Sequence, residues 1–240
     1  MISCINEWRK PVEDILIPVS GGLMRSLLFT PKTTPAPGVV VLQEIFGVND
    51  FVKWISDKLA DDGFTVITPD LYHRIEPGIS LGYDEVNLAK ALAYYKSLDQ
   101  QAAQDDAEAA VNALRSHDLC TGKVSAVGFC LGGKIVLKAA AKGLLDAGGA
   151  FYPVEVPTYK ERLGQISCPV QVHLGSEDPH SPEETRDILS AAMDVLDGGE
   201  YYLHSGGRHG FFNPIRETAY HPEATERAYL DLLRFLREHL

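Results

Sequence analysis

The sequence has few cysteines and lacks the spacings that mark metal or redox sites. Its 240 residues include four cysteines, Cys4, Cys120, Cys130 and Cys168, and they form neither a CxxC pair nor a zinc-ligand pattern. The eight histidines contain no HExxH motif. A chain of this length buries enough surface to form a core without disulfides or a structural metal. We therefore expect reduced thiols, no metal and no cofactor.

Long apolar runs and an excess of positive charge are also missing. No segment reaches the roughly 18 apolar residues of a membrane helix, and residues 1–10 lack the apolar core of a signal peptide. Acidic residues number 33 against 22 lysines and arginines, which gives a net charge of −11. This balance argues against a nucleic-acid backbone or an anionic membrane as partner. We expect a soluble cytoplasmic protein, either a monomer or a homodimer.

Short apolar runs typical of buried strands alternate with segments of helical periodicity. A hairpin is predicted over 13–32, broken at the glycine pair 21–22. Further strands are predicted at 38–42, 64–68, 123–129, 149–152, 170–174 and 200–204. Helices are predicted at 49–59, at 84–116 as two helices broken near 98–105, and at 131–142, 182–196 and 222–240. Such a series forms a mostly parallel sheet with helices on both faces, and we expect one α/β domain over 1–240 without a separate lid domain.

A glycine-rich turn between a predicted strand and a predicted helix carries Cys130. The segment 128–133 reads GFCLGG, which is typical of a nucleophile elbow with cysteine in place of serine. The start of the following helix favours a thiolate, and the Leu131 amide would supply half of an oxyanion hole. The alternative is a buried structural cysteine, but the strand–turn–helix context favours the nucleophile.

Two later positions fit the order nucleophile, acid, histidine that this kind of hydrolase follows. Asp178 comes shortly after the strand at 170–174, with Glu177 as the alternative acid. His209 lies among glycines in GGRHGF at 206–211, after the last predicted strand. Singly, these residues read as a turn aspartate and a loop histidine. As an ordered set they predict a Cys130–His209–Asp178 triad that cleaves esters through an acyl-enzyme.

Three motifs together resemble the dienelactone hydrolase (carboxymethylenebutenolidase) family: QEIFGVN at 43–49, TPDLY at 68–72 and VGFCLGG at 127–133. The resemblance runs from about Ile17 to the C terminus. It implies an α/β-hydrolase fold and hydrolysis of a small ester or lactone. It further implies that Glu44 lies beside the cysteine and keeps the thiol neutral at rest, and that the Ile45 amide completes the oxyanion hole.

The chain departs from this family where dienelactone-cleaving members bind the substrate carboxylate with two arginines. By a gapless count the corresponding positions are Ala89 and Asn213. Loss of such a clamp argues against dienelactone as the natural substrate. Candidate substrate-binding residues near the matching segments are Arg74, Arg208, Arg216, Phe46 and Tyr72. A broad carboxylesterase or thioesterase, and an inactive hydrolase-fold binding protein, are the alternatives.

Overall fold

The computed structural model describes residues 12–240, in which eight strands form one sheet in the order β1-β2-β4-β3-β5-β6-β7-β8. The pairs β1–β2 and β2–β4 are antiparallel, and the remaining five are parallel. The strands are β1 (Glu13–Val19), β2 (Gly22–Phe29), β3 (Ala36–Leu42), β4 (Thr65–Pro69), β5 (Cys120–Phe129), β6 (Ala147–Phe151), β7 (Val170–Gly175) and β8 (Gly199–His204). The predicted hairpin and mostly parallel sheet are confirmed.

Seven α-helices connect or follow these strands. They are α1 (Asp50–Asp61), α2 (Glu85–Ser97), α3 (Gln100–Arg115), α4 (Leu131–Ala141), α5 (Lys160–Leu163), α6 (Glu183–Val195) and α7 (Pro222–His239). The short α5 and a 3₁₀ turn at Val156–Thr158 were not predicted, because neither is long enough to show a helical period. The break between α2 and α3 is narrower than expected, since Asp99 caps α3 by accepting from the amides of Gln101 and Ala102.

Helix α1 illustrates how local sequence sets the helix ends. The Asn49 side chain caps it by accepting from the Val52 amide. Phe51, Ile55 and Leu59 recur every four residues and are fully buried. Gly63 follows the helix with φ of 105°, a conformation that favours glycine. The predicted start and inner face of α1 are therefore confirmed.

The core lies on both faces of the sheet because successive strand residues point to opposite sides. In β3, Val40 and Leu42 belong to the core cluster that also contains residues of α3, α4 and α6. Val39 and Val41 belong to the cluster on the other face, which contains residues of α1 and α7. The apolar β3 run is buried on both sides, which is typical of a central parallel strand. Because strands β3 to β8 pair in parallel, their carboxyl ends lie at the same edge of the sheet.

Within residues 12–240, no helix is long and apolar enough to cross a membrane. The expectations for residues 1–10 and for Cys4 lie outside the described residues.

Candidate active site

Cys130 stands on a sharp turn between β5 and α4. Its backbone has φ of 55° and ψ of −109°, a conformation that costs a non-glycine residue about 1–3 kcal/mol. The surrounding glycines are required by close backbone approach. A Cβ on Gly128 would lie 2.3 Å from the Gly132 carbonyl, and one on Gly132 would lie 2.3 Å from the Leu42 oxygen. The Cys130 amide donates to the Phe151 oxygen at 3.0 Å. Packing thus holds the cysteine in the strained geometry of the predicted elbow.

The loops after β7 and β8 bring His209 and Asp178 together. A Cβ on Gly175 would lie 2.2 Å from the Gly207 oxygen, so the two loops touch through their backbones. His209 Nδ1 lies 2.8 Å from Asp178 Oδ2. The second carboxylate oxygen accepts from the His180 amide at 2.7 Å. The Asp178 side chain is fully buried, so its hydrogen bonds fix both its own position and the orientation of the imidazole.

The alternative acid, Glu177, lies at the surface. Its side chain is 61% exposed and lies 3.9 Å from Arg208, which is itself 64% exposed. Both side chains therefore face solvent, away from the buried contact between His209 and Asp178. Arg208 is also not among the described residues that line the cavity shared by Cys130 and His209, so its predicted role in substrate binding gains no support.

His209 and Asp178 have opposite pKa shifts. Burial lowers the pKa of His209, but the Cys130 thiolate and hydrogen bonds to Asp178 and Cys130 outweigh it and raise the pKa to about 10. Burial acts to raise the pKa of Asp178, but the hydrogen bond and charge of His209 lower it overall. The two shifts therefore favour a protonated His209 imidazole beside an ionised Asp178 carboxylate.

Glu44 is buried, with 2% of the residue exposed, which rules out a solvent-facing carboxylate after β3. Its Oε2 accepts from the Tyr83 hydroxyl at 2.8 Å and from the Asn213 amide at 3.2 Å. The Tyr83 oxygen in turn accepts from Asn213 at 2.6 Å and Asn49 at 2.9 Å. Burial and the Glu44 charge raise the pKa of Tyr83 well above its usual value, so the phenol stays a neutral donor. Tyr83 was missed, since it lies in an irregular loop without a motif.

Glu44, Ile45, Cys130 and His209 line one cavity of about 300 Å³, named the catalytic cavity below. Apolar side chains form part of its wall: Phe46, Leu88, Leu92 and Val154. Polar side chains form the rest: Tyr95, Glu155, His180 and Arg216. Of the described residues that line this cavity, Arg216 alone carries a permanent positive charge. The first residue of α4, Leu131, directly follows Cys130.

The substrate-binding candidates separate into two groups. Phe46 and Arg216 line the catalytic cavity. Arg74 does not, because its guanidinium is bound to the buried Asp106 carboxylate at 2.7 and 2.9 Å. Tyr72 is fully buried, and its hydroxyl donates to the Ile45 oxygen at 3.0 Å. The predictions for Arg74 and Tyr72 as substrate contacts are therefore not supported, and Tyr72 instead holds the loop that carries Ile45.

The two positions that lack the expected arginines also differ in placement. Ala89 is exposed on α2 and does not line the catalytic cavity. Leu88 and Leu92, on the same helix, do line it. Asn213 is fully buried and holds Glu44, as described above. Neither position thus supplies a positive charge to the cavity.

Two further aromatic rings surround His209 and were not predicted. The Tyr152 ring meets it edge-on at 5.0 Å between centroids, and the His180 ring does so at 4.7 Å. Burial and the charge of His209 lower the pKa of His180, which favours a neutral ring beside the charged one. In the described part of the chain, no group of three or more His, Cys, Asp or Glu side chains could hold a metal ion.

Comparison with known proteins adds an independent result. The model of the dienelactone hydrolase family matches residues 24–240. A carboxymethylenebutenolidase from Pseudomonas putida is 34% identical over 171 residues, covering 71% of this chain and 72% of that protein. Another from Pseudomonas sp. is 32% identical over 218 residues, covering 90% and 91%. A solved dienelactone hydrolase-like promiscuous phosphotriesterase from metagenomic libraries superimposes with a TM-score of 0.81 at 25% identity, covering 95% and 98% of the two chains.

Proposed function

This chain belongs to the dienelactone hydrolase family of α/β-hydrolases, and we propose that it cleaves a small ester or lactone through a Cys130–His209–Asp178 triad and an acyl-enzyme. The observation that carries the proposal is the buried His209 imidazole, which is hydrogen-bonded to Asp178 at 2.8 Å and lines the same cavity as Cys130. A base oriented by a carboxylate and placed on a thiol is the arrangement that nucleophilic catalysis requires.

The first step is attack of the Cys130 sulfur on the substrate carbonyl carbon. A C–S bond forms, and the carbonyl electron pair moves to oxygen. We propose that the amides of Leu131 and Ile45 stabilise this oxyanion. That of Leu131 begins α4, where the first N–H groups have no partner within the helix. The Ile45 amide lies on the loop after β3, and the Tyr72 hydroxyl holds this loop by donating to the Ile45 carbonyl oxygen. Removing one such donor typically slows the chemical step by about 10²-fold or more.

The second step is loss of the alcohol. The oxyanion re-forms the carbonyl, the C–O bond to the leaving group breaks, and the His209 imidazolium donates its proton to the departing oxygen. A thioester on Cys130 remains. His209, now neutral, takes a proton from a water molecule that attacks this thioester. Collapse of that intermediate releases the carboxylic acid and regenerates the thiolate and imidazolium.

Glu44 is proposed to restrain the thiolate before substrate binds. Its carboxylate lines the same cavity as Cys130 and is fixed by Tyr83 and Asn213. A negative charge there opposes a second negative charge on sulfur, while His209 favours it. Glu44→Gln is therefore expected to raise the rate of Cys130 alkylation by iodoacetamide about tenfold at neutral pH, since about 1.4 kcal/mol of repulsion corresponds to one decade. Glu177→Gln removes an exposed carboxylate and serves as the matched control; an equal rate in the two variants would overturn this role.

The function is tested by hydrolysis of p-nitrophenyl acetate, a dienelactone and simple lactones by the purified protein and its Cys130→Ala variant. We expect the wild type to cleave at least one ester or lactone, and the variant to lose at least 10³-fold in kcat. A variant that retains its rate would exclude Cys130 as the nucleophile. Inert wild-type protein would contradict the proposed substrate class.

A further inference from the structure

Helix α2 forms one wall of the catalytic cavity while burying little of its own surface. Of its 13 residues, Ala91 alone is buried. Leu88 and Leu92 are four residues apart, so they lie on one face of the helix. Both line the cavity, yet they remain 37% and 53% exposed. Two leucines exposed side by side next to a reactive thiol leave apolar surface that a ligand could cover.

Three further apolar side chains line the same cavity: Ile45, Phe46 and Val154. The helix itself brings no charge to the cavity, because its charged residues, Glu85, Lys90 and Lys96, are not among the described residues that line it. Its cationic side chain, Arg216, comes from the loop after His209 instead. A charged substituent placed against the leucines would lose hydration without gaining a partner there.

We propose that Leu88 and Leu92 form a hydrocarbon subsite that makes the enzyme selective for esters or lactones with an apolar substituent. A substrate with a carboxylate at that position would be disfavoured. The inference rests on the proposed function, since it concerns the substrate of the same site. In this proposal α2 determines the substrate specificity, whereas Cys130 and His209 carry out the chemistry.

The size of the effect follows from the burial of methylene groups. Each methylene moved from water into an apolar site favours binding by about fourfold. Two added methylenes should therefore raise kcat/KM by roughly 15-fold. The cavity of about 300 Å³ limits the series to short chains, so the rise should stop once the substituent fills it.

The test compares two series of esters. One varies the acyl group, from p-nitrophenyl acetate to butyrate, and the other varies the alcohol, from methyl to propyl acetate, so each series adds two methylenes. We expect at least one series to show this rise of roughly 15-fold in wild-type enzyme. The double variant Leu88→Gln/Leu92→Gln should lose that rise, and Leu88→Met/Leu92→Met should keep it, because methionine is apolar and of similar volume. Val86→Gln is the matched control, since Val86 is 66% exposed on the same helix but outside the cavity lining.

Calorimetric binding of alkyl methyl ketones, which cannot be hydrolysed, separates this inference from the proposed function. Affinity that rises with chain length in wild type and not in the Gln double variant supports the subsite even if no ester is cleaved. Cys130-dependent cleavage of acetate esters without a chain-length effect in either series or in ketone binding would overturn the subsite alone. A rise that survives in the Gln double variant would also overturn it.

Discussion

Replacing Asp178 with asparagine tests the charge arrangement around His209. The asparagine keeps the shape of the side chain but removes the negative charge that faces the imidazole at 2.8 Å. In the wild type, the pKa of His209 is raised to about 10. Activity that needs the imidazolium as an acid is therefore expected to persist through neutral pH and to fall as pH rises through about 10.

The shift can be estimated from the geometry. The charges of the His209 imidazolium and the Asp178 carboxylate are each spread over several atoms, so their mean separation is about 4 Å. At an effective permittivity of about 20, the attraction between them is about 4 kcal/mol. At about 1.4 kcal/mol for each pKa unit, the loss of this charge lowers the pKa of His209 by about three units. The alkaline limb of kcat/KM should therefore move from near pH 10 to near pH ~7 in Asp178→Asn. At pH values below that limb, kcat of Asp178→Asn should be about 10²-fold lower than kcat of the wild type, because the imidazole is less well oriented.

The same interaction contributes to stability with a defined sign. A raised pKa of His209 means that its contribution is complete below about pH 6.5 and is lost as pH rises through about 10. The assay is the pH dependence of kcat/KM on a small ester between pH ~5 and ~11, with spontaneous hydrolysis subtracted. Glu177→Gln, which removes the neighbouring exposed carboxylate, should leave the profile unchanged. An alkaline limb that stays in place in Asp178→Asn would refute the charge coupling.

Two substitutions test packing and placement. Gly132→Ala should lower the free energy of unfolding in urea by about 3 kcal/mol, because its Cβ would lie 2.3 Å from the Leu42 oxygen. The control Gly164→Ala, where space is open, should change this free energy by less than about 0.5 kcal/mol, and equal losses in the two variants would contradict the close approach. Arg74→Gln should leave KM unchanged but lower the free energy of unfolding by about 2 kcal/mol, since the buried Asp106 carboxylate loses a partner that is one-third exposed. A severalfold rise in KM would instead indicate that Arg74 reaches the catalytic cavity.

The elbow could be predicted because its constraints are local. Close backbone contacts around Cys130 exclude a Cβ at Gly128 and Gly132. The glycines that the turn requires therefore lie within two residues of the cysteine in the sequence. Asp178 and His209 could be predicted for another reason. Parallel strands end at one edge of the sheet, so residues just after β7 and β8 must lie close together. Local turn chemistry and sheet topology thus account for the contact between Asp178 and His209.

The environment of Glu44 could not be read from the sequence. Its partners Tyr83 and Asn213 lie 39 and 169 residues away, and both come from irregular loops that carry no periodic signal. The partner of Arg74 is similarly remote, since Asp106 lies 32 residues further along, in α3. Whether a side chain faces a cavity or a distant carboxylate is decided by tertiary packing, which single-sequence patterns do not contain.

The expectation for Ala89 shows how sensitive a helical position is to register. One residue along an α-helix turns the side chain by about 100°. A count that ends at Ala89 therefore indicates a side chain facing solvent, whereas Leu88, one residue earlier, lines the catalytic cavity. The absence of an arginine holds at both positions, but the apolar character of the wall becomes visible only once the helix is placed.

Trapping the acyl-enzyme tests the central claim most directly. Turnover of p-nitrophenyl acetate would be quenched with acid and the digested protein analysed by mass spectrometry, with the Cys120 and Cys168 peptides as internal controls. We predict one acetyl group on the peptide that contains Cys130, and its loss in Cys130→Ala. An acyl group on any other residue, or continued turnover without acylation of Cys130, would contradict the account.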